Sequence, residues 1–139
     1  MSAFRVPRRI RFSDCDPAGI VFYPQYFVMF NGLMEDWVDG PLAIGFADLV
    51  ARRRIGMPTV RLEADFRAVS RFGDDVVLSL EVERLGGKSI TLALECRAAG
   101  DGELRMAVRQ VVVTTSLETH GAIAVPPDLR AAIERLAAA

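Results

Sequence analysis

Two carboxylates stand one residue apart in Asp14-Cys15-Asp16. Pro17, Ala18 and Gly19 follow at once, then the apolar and aromatic run Ile20-Val21-Phe22-Tyr23-Pro24. Ile10 and Phe12, alternating with Arg9 and Arg11, lead into the pair. Proline and glycine punctuate the chain there, so the acids sit at a strand-to-helix corner. The first N–H groups of a helix have no partner inside it and carry partial positive charge. A carboxylate at such a corner has the parts for acyl transfer. It offers a nucleophile or base to one side of a carbonyl, and N–H donors to the other. The plainer alternative for Asp16 is a turn or capping aspartate before Pro17. Asp14 reads as a solvent-side or loop-bracing acid.

The remaining reactive side chains exclude several chemistries. Cys15 is a small packing residue rather than a nucleophile, because a thiol nucleophile wants a base nearby. The only histidine is His120, read as a surface loop residue beside Gly121. A Ser-His-Asp arrangement would have to use it, and a zinc site would lack its usual ligands. Gly86-Gly87-Lys88-Ser89 invites a phosphate-loop reading. That pattern needs another glycine at position 82, where valine stands, and a helix after it rather than a strand.

The elements that must position this corner follow from periodicity. Residues 4–12 read as a strand with Pro7 marking an edge or start. Residues 24–39 read as a helix, with Phe27, Phe30, Met34 and Trp37 or Val38 at spacings of three and four. Phe22, Tyr23 and Tyr26 widen its apolar face, and Gly40-Pro41 ends it. A shorter helix covers 46–53. The period then changes to two. Val60, Leu62, Ala64 and Phe66 predict a half-buried strand. Leu78, Leu80 and Val82 mark the next, and Ile90, Leu92, Leu94 and Cys96 the one after the Gly86-Gly87 turn. A long strand covers 104–116, and a helix covers 127–136. Tight turns between consecutive strands imply antiparallel pairing. The expectation is an α+β fold, a curved antiparallel five-stranded sheet wrapped around one long central helix.

Bulk properties agree with one domain over 1–139. The chain has 139 residues, 51% hydrophobic, with a formal charge of -1. No global field draws it to nucleic acid or to an anionic membrane. No run reaches membrane-spanning length, the first residues lack the apolar centre of a signal peptide, and two cysteines make no disulfide framework. A cytoplasmic protein is expected. The high apolar content suggests surface buried against another subunit.

The run from Asp14 to Pro24 resembles the signature of the 4-hydroxybenzoyl-CoA thioesterase family, and the order of elements is that of the hotdog fold. Gly56-Met57-Pro58 and Lys88-Ser89 add to the resemblance. It implies that Asp16 is the catalytic carboxylate, attacking a thioester carbonyl or activating water, and that the backbone N–H of Tyr23 holds the oxyanion. Gly19 would let the backbone approach the substrate. Lys88, with Ser89 beside it, would meet the phosphates of coenzyme A. The positions before Lys88, basic in the best-known type, are Gly86 and Gly87 here. The grip is therefore expected to be weaker, or to draw on Arg71, Arg84 or the Arg52-Arg53-Arg54 cluster, whose plainer reading is a solvated helix end.

The same resemblance places Asn31 where the 4-hydroxybenzoyl type has an acid, and Met57 where it has a small hydroxyl residue. Both are candidate acyl-pocket residues that favour a plain aryl or medium acyl group. Asn31 with Gly32 has a plainer reading as a close helix crossing. The segment Phe22-Tyr23-Pro24-Gln25 lacks the histidine of the short-chain branch, and no histidine near the corner matches a hotdog hydratase.

The reading is an acyl-CoA thioesterase acting on an aryl thioester such as a benzoyl-type CoA. No metal or cofactor is required, coenzyme A arriving within the substrate. The partner is that small molecule, with no nucleic acid and no membrane. The resemblance implies a homo-oligomer, dimer or dimer of dimers, with sites at subunit interfaces. The alternatives are a non-catalytic module binding acyl-CoA or acyl carrier protein, and a plain oligomerisation domain.

Overall fold

The computed structural model describes residues 3–138. Strand β1 (Phe4–Arg9) leads through a single 3-10 turn (Phe12–Asp14) and the Asp16 loop into helix α1 (Pro24–Asp39). A π turn (Asp48–Arg52) and a short strand β2 (Ile55–Gly56) precede β3 (Thr59–Phe66). Then come β4 (Asp75–Leu85), β5 (Ser89–Ala98), β6 (Leu104–Val113), β7 (Thr115–Ser116) and helix α2 (Pro127–Ala138). The main sheet has the order β1-β4-β5-β6-β3, antiparallel throughout. The expected hotdog arrangement is present.

Alternation along the strands builds one apolar face. Val76, Leu78, Leu80 and Val82 of β4 are buried, as are Ile90, Leu92, Leu94 and Cys96 of β5 and Met106, Val108 and Val112 of β6. Against them lie Tyr26, Met29, Phe30, Leu33, Met34, Trp37 and Val38 of α1. Burying one such side chain is worth about 1.5–3 kcal/mol, so the sheet–helix seam dominates the stability. Gln110 is a polar residue on this inner face, and it donates to Thr59 Oγ1 at 2.6 Å.

Several boundaries differ from the sequence expectation. The first strand stops at Arg9, because Asp14 takes the N–H of Arg11 at 2.8 Å and folds the chain into the 3-10 turn. Gly40 ends α1 with φ -87, not in the left-handed region; its N–H donates to Asp36 O at 2.8 Å. The strand expected over 104–116 breaks at Thr114, whose N–H and hydroxyl turn to Lys88 O and Ile123 O. Its last two residues form β7, paired with β2.

The largest difference is β3. Leu62, Ala64 and Phe66 alternate as expected, whereas Val60 falls in a bulge between Thr59 and Arg61; Val60, Leu62 and Phe66 are 61%, 42% and 52% exposed. Within one chain little lies across its apolar face beyond the Tyr23 and Tyr26 rings at Phe66. Only Ala64 packs against the core.

Candidate active site

The corner is held by backbone pairing. Cys15 and Val21 face each other across a miniature antiparallel bridge, and Ile20 pairs with Arg71. Phe22 N–H donates to Asp14 O at 3.0 Å, Asp16 N–H to Ile20 O at 3.1 Å, and Val21 N–H to Ser70 O at 2.9 Å. Gly19 turns the loop with φ +77, a conformation that costs little only for glycine. Space is open where its Cβ would stand.

The two acids have opposite surroundings. Asp14 is 5% exposed; it accepts from Arg8 Nη2 at 3.0 Å and from Arg11 N–H at 2.8 Å. It braces the loop as expected, but from inside rather than from the solvent side. Asp16 is half-buried, has no cationic partner among the described residues, and accepts only the Ala18 N–H at 2.9 Å. One carboxylate oxygen of Asp16 is thus without a protein donor.

Tyr23 caps α1 with φ -51 and ψ -37, and Pro24 follows at the first helical position. Phe22 N–H is taken by Asp14 O, and Pro24 has none. The Tyr23 N–H has no hydrogen-bond partner among the described residues, which leaves it as the free donor at the helix start.

Beside this loop opens a cleft of about 310 Å³, lined by Ile20, Val21, Tyr23, Tyr26, Phe66 and residues 67–70. Its walls are aromatic. The Phe66 ring lies 6.2 Å from both Tyr23 and Tyr26, and Tyr23 meets it edge to face. Offset and edge contacts of this kind suit a planar aryl group. Asp16 does not line the cleft; its backbone N–H bonds Ile20, which does.

Beneath the cleft lies a polar network that sequence reasoning did not find. Tyr26 Oη and Ser70 Oγ are 2.9 Å apart, both buried. Arg105 reaches Val69 O at 3.0 Å and Asp74 Oδ2 at 2.9 Å, and pairs with Glu103 at 2.8 Å. The same Asp74 oxygen accepts the Arg71 N–H at 2.8 Å. Residues 69–74 in turn pair with the Asp16 loop, so Arg105 fixes the wall on which that loop rests. In sequence Arg105 is one more alternating residue of a strand, and no local pattern separates it from Arg97 or Arg109.

The Arg71 N–H and then the Arg105 guanidinium hold the Asp74 carboxyl below its ordinary value of 3.8. A depressed carboxylate stabilises the fold fully above its unfolded value and progressively less as pH falls through the folded one. Arg105→Met is expected to lower stability at neutral pH by about 2–3 kcal/mol, the scale of lost charge-assisted bonds. Part of the acid sensitivity below about pH 4 should vanish with it. Urea unfolding of both proteins from pH 3 to 7 checks this. An unchanged midpoint in the variant would contradict it.

The other candidates separate. Burial first, then Asp14, Asp16 and Asp74, push the Cys15 thiol up, and burial pushes Cys96 up to about 11. Both cysteines stay neutral thiols. Asn31 and Gly32 face outward on α1, and nothing lies within 4 Å of a Cβ built on Gly32, so no helix crosses there within the chain. Met57 is buried in the core. His120 is exposed, in the late loop. Among the described residues, no three His, Cys, Asp or Glu side chains converge as a metal site.

Lys88 and Ser89 follow the Gly86-Gly87 turn, at the opposite end of β4 from Asp74 and the Asp16 loop. Eleven residues of strand at about 3.3 Å each separate the two ends. One chain therefore does not bring Lys88 to Asp16. The Arg52-Arg53-Arg54 cluster is neutralised, by Asp48, Asp128 and Glu118 in turn. Arg71 stays exposed beside the loop.

Residues 10–133 match the Thioesterase-like superfamily. The chain belongs to that superfamily and is a thioesterase of the hotdog fold. It is 27% identical to the 4-hydroxybenzoyl-CoA thioesterase of Pseudomonas sp., covering 87% of this chain and 90% of that one. It is 24% identical to the 1,4-dihydroxy-2-naphthoyl-CoA hydrolase of Synechocystis sp., over 94% and 88%. A crystal structure of a 4-hydroxybenzoyl-CoA thioesterase, an aspartate-to-asparagine mutant complexed with 4-hydroxybenzoyl-CoA, superposes with a TM-score of 0.85. It is 24% identical, over 94% of this chain and 98% of that one. No described helix is long and apolar enough to cross a membrane.

Proposed function

We propose that the protein hydrolyses an aryl-CoA thioester to the free acid and coenzyme A, with Asp16 as the catalytic carboxylate. One observation carries this: of two neighbouring acids, Asp14 is buried and paired, whereas Asp16 keeps an open oxygen, on a loop whose backbone pairs with Ile20 of the aromatic cleft that Tyr23, with its free N–H, also lines. The aryl-CoA substrates in the relatives' names support the acyl class, as do the aromatic walls.

Two routes use the same groups. In one, an Asp16 oxygen attacks the thioester carbon, the Tyr23 N–H holds the oxyanion, and the C–S bond breaks to release thiolate. Water then cleaves the acyl–aspartyl anhydride and restores the carboxylate. In the other, Asp16 takes a proton from water as the hydroxyl adds to the carbon, and the tetrahedral intermediate then collapses with cleavage of the C–S bond and release of thiolate, which takes up the proton. Both consume one water and need no metal or prosthetic group. Thiolate leaves readily, so no strong general acid is required.

The working unit is a homo-oligomer of the cytoplasm. β1 is blunted at its edge by Pro7 and arginines, but β3 offers eight residues of unpaired edge, with Leu62 and Phe66 exposed on one face and Val60 exposed at a bulge. Such an edge is a pairing surface unless something covers it. A second copy pairing there would bury those residues, close the cleft at Phe66, and bring its own Lys88 or Asn31 toward the site. Leu62→Lys should shift the sedimenting mass from dimer or tetramer toward monomer. A wild-type monomer would sink this assembly.

Thiol release from benzoyl-CoA and from aliphatic CoA thioesters tests the activity. Release by wild type that is lost in Asp16→Asn supports it. Tight binding without turnover would favour the acyl-carrier or acyl-CoA binding module instead.

A further inference from the structure

Strand β3 runs out in a bulge. Arg67 and Ala68 both donate their N–H to Arg105 O, at 2.9 and 3.1 Å. Two residues thus stand opposite one, and such a bulge breaks the alternation of a strand and re-aims its side chains. Strict alternation would carry Arg67 to the side of Glu63 and Asp65, away from Phe66. Instead Phe66, Arg67 and Ala68 all line the aromatic cleft.

Of the residues lining that cleft, only Arg67 bears a charge. The arginines of the neighbouring strands are matched, Arg61 by Glu63, Arg105 by Asp74 and Glu103, and Arg109 by Glu83. Arg67 is exposed, and its side chain has neither an ion-pair partner nor a hydrogen bond among the described residues. A planar guanidinium beside aromatic walls matches a carboxylate, two oxygens at a time. The two ends of the cleft differ in charge. At one end Val21 N–H donates to Ser70 O at 2.9 Å, and Ile20 O accepts the Asp16 N–H at 3.1 Å. Arg67 stands three residues before Ser70, at most about 11 Å of chain. That length holds one aromatic ring between two substituents rather than a long acyl chain. An anion is repelled by Asp16 and drawn by Arg67, so a ring carrying a thioester and a carboxylate enters one way round.

We infer that the preferred substrate is an aryl-CoA thioester whose ring carries a carboxylate at the end remote from the thioester, a half-thioester of an aromatic dicarboxylic acid, and that Arg67 is the residue that selects it. The inference rests on the aryl-CoA reading and adds a charge to the acyl group. Arg67 makes and breaks no bond. It holds the far end of the ring equally in ground state and transition state, so its loss raises KM more than it lowers kcat.

The test compares wild type, Arg67→Gln and Arg67→Lys in the full chain. Thiol release is measured on 4-carboxybenzoyl-CoA and on its neutral isostere 4-carbamoylbenzoyl-CoA. The ratio of kcat/KM for the carboxylate to that for the amide is expected to fall about 10-fold in Arg67→Gln, through KM, the scale of one charge-assisted pair. Arg67→Lys, which keeps the charge without the fork, should retain part of the ratio. An unchanged ratio in Arg67→Gln overturns the inference, as does an equal loss on both thioesters, which marks a structural role. Binding of 4-carbamoylbenzoate, whose amide stands in for the thioester, is compared with binding of benzamide by calorimetry and needs no turnover. Tighter binding of the carboxylate that depends on Arg67, in a protein that releases no thiol, would keep the recognition and remove the reaction. Thiol release with no such preference would keep the reaction and remove the recognition.

Discussion

Asp16→Asn is expected to lower kcat for benzoyl-CoA by roughly 10³–10⁴-fold, the range for losing a positioned acid–base or nucleophilic group. Stability and substrate affinity should hardly change. The amide oxygen of asparagine still accepts the Ala18 N–H, so the turn survives. What disappears is the oxygen that can attack a carbonyl or take a proton from water. Asp14→Asn should do the reverse. It weakens the Arg8 pair in a buried setting, so the fold loses stability, on the order of 2–3 kcal/mol, more than the chemistry loses rate. Steady-state kinetics and urea midpoints of the two variants, measured together, separate a chemical role from a bracing one. Equal kinetic losses at both positions would contradict the division.

The second large effect concerns a backbone group. Tyr23→Pro removes the free N–H at the start of α1, and φ of -51 at this position is one proline adopts readily. Tyr23→Ala removes the same ring but keeps the N–H. The proline variant should be slower than the alanine variant by about 10²–10³-fold in kcat, the cost of one oxyanion donor. KM should differ little, because the donor strengthens its bond as charge develops on oxygen. Retained helix content by circular dichroism shows that α1 survives. Equal kcat in the two variants would mean the oxyanion is held elsewhere.

Much of this fold is legible in the sequence because its strands face a single helix. Alternation over Leu78–Val82 and again over Ile90–Cys96, with helical spacing from Phe27 to Val38, locates the sheet–helix seam. There, burial is decided within the chain. β3 misleads for the same reason: Leu62, Ala64 and Phe66 alternate as clearly, but a single chain leaves Leu62 and Phe66 largely exposed. Alternation reports that a face is apolar, not which molecule covers it. The split between β6 and β7 was hidden because it depends on Thr114 finding Lys88, 26 residues away, and Ile123 in the following loop.

The site divides similarly. Asp16, Gly19 and Tyr23 are local, within eight residues of each other, and a motif can hold them. Arg105, Ser70 and Asp74 act through bonds spanning 31 and 35 residues, so spacing could not flag them. Lys88 and Asp16 lie at opposite ends of one strand, a separation that only the sheet register reveals.

The most direct measurement is thiol release from benzoyl-CoA by wild type and Asp16→Asn at matched concentration, with unfolding midpoints recorded for both. Rapid release by wild type and near-complete loss in an equally stable variant is the result expected here. Equal release by the two proteins would contradict the account, because the one open carboxylate at the corner would then have no part in the reaction.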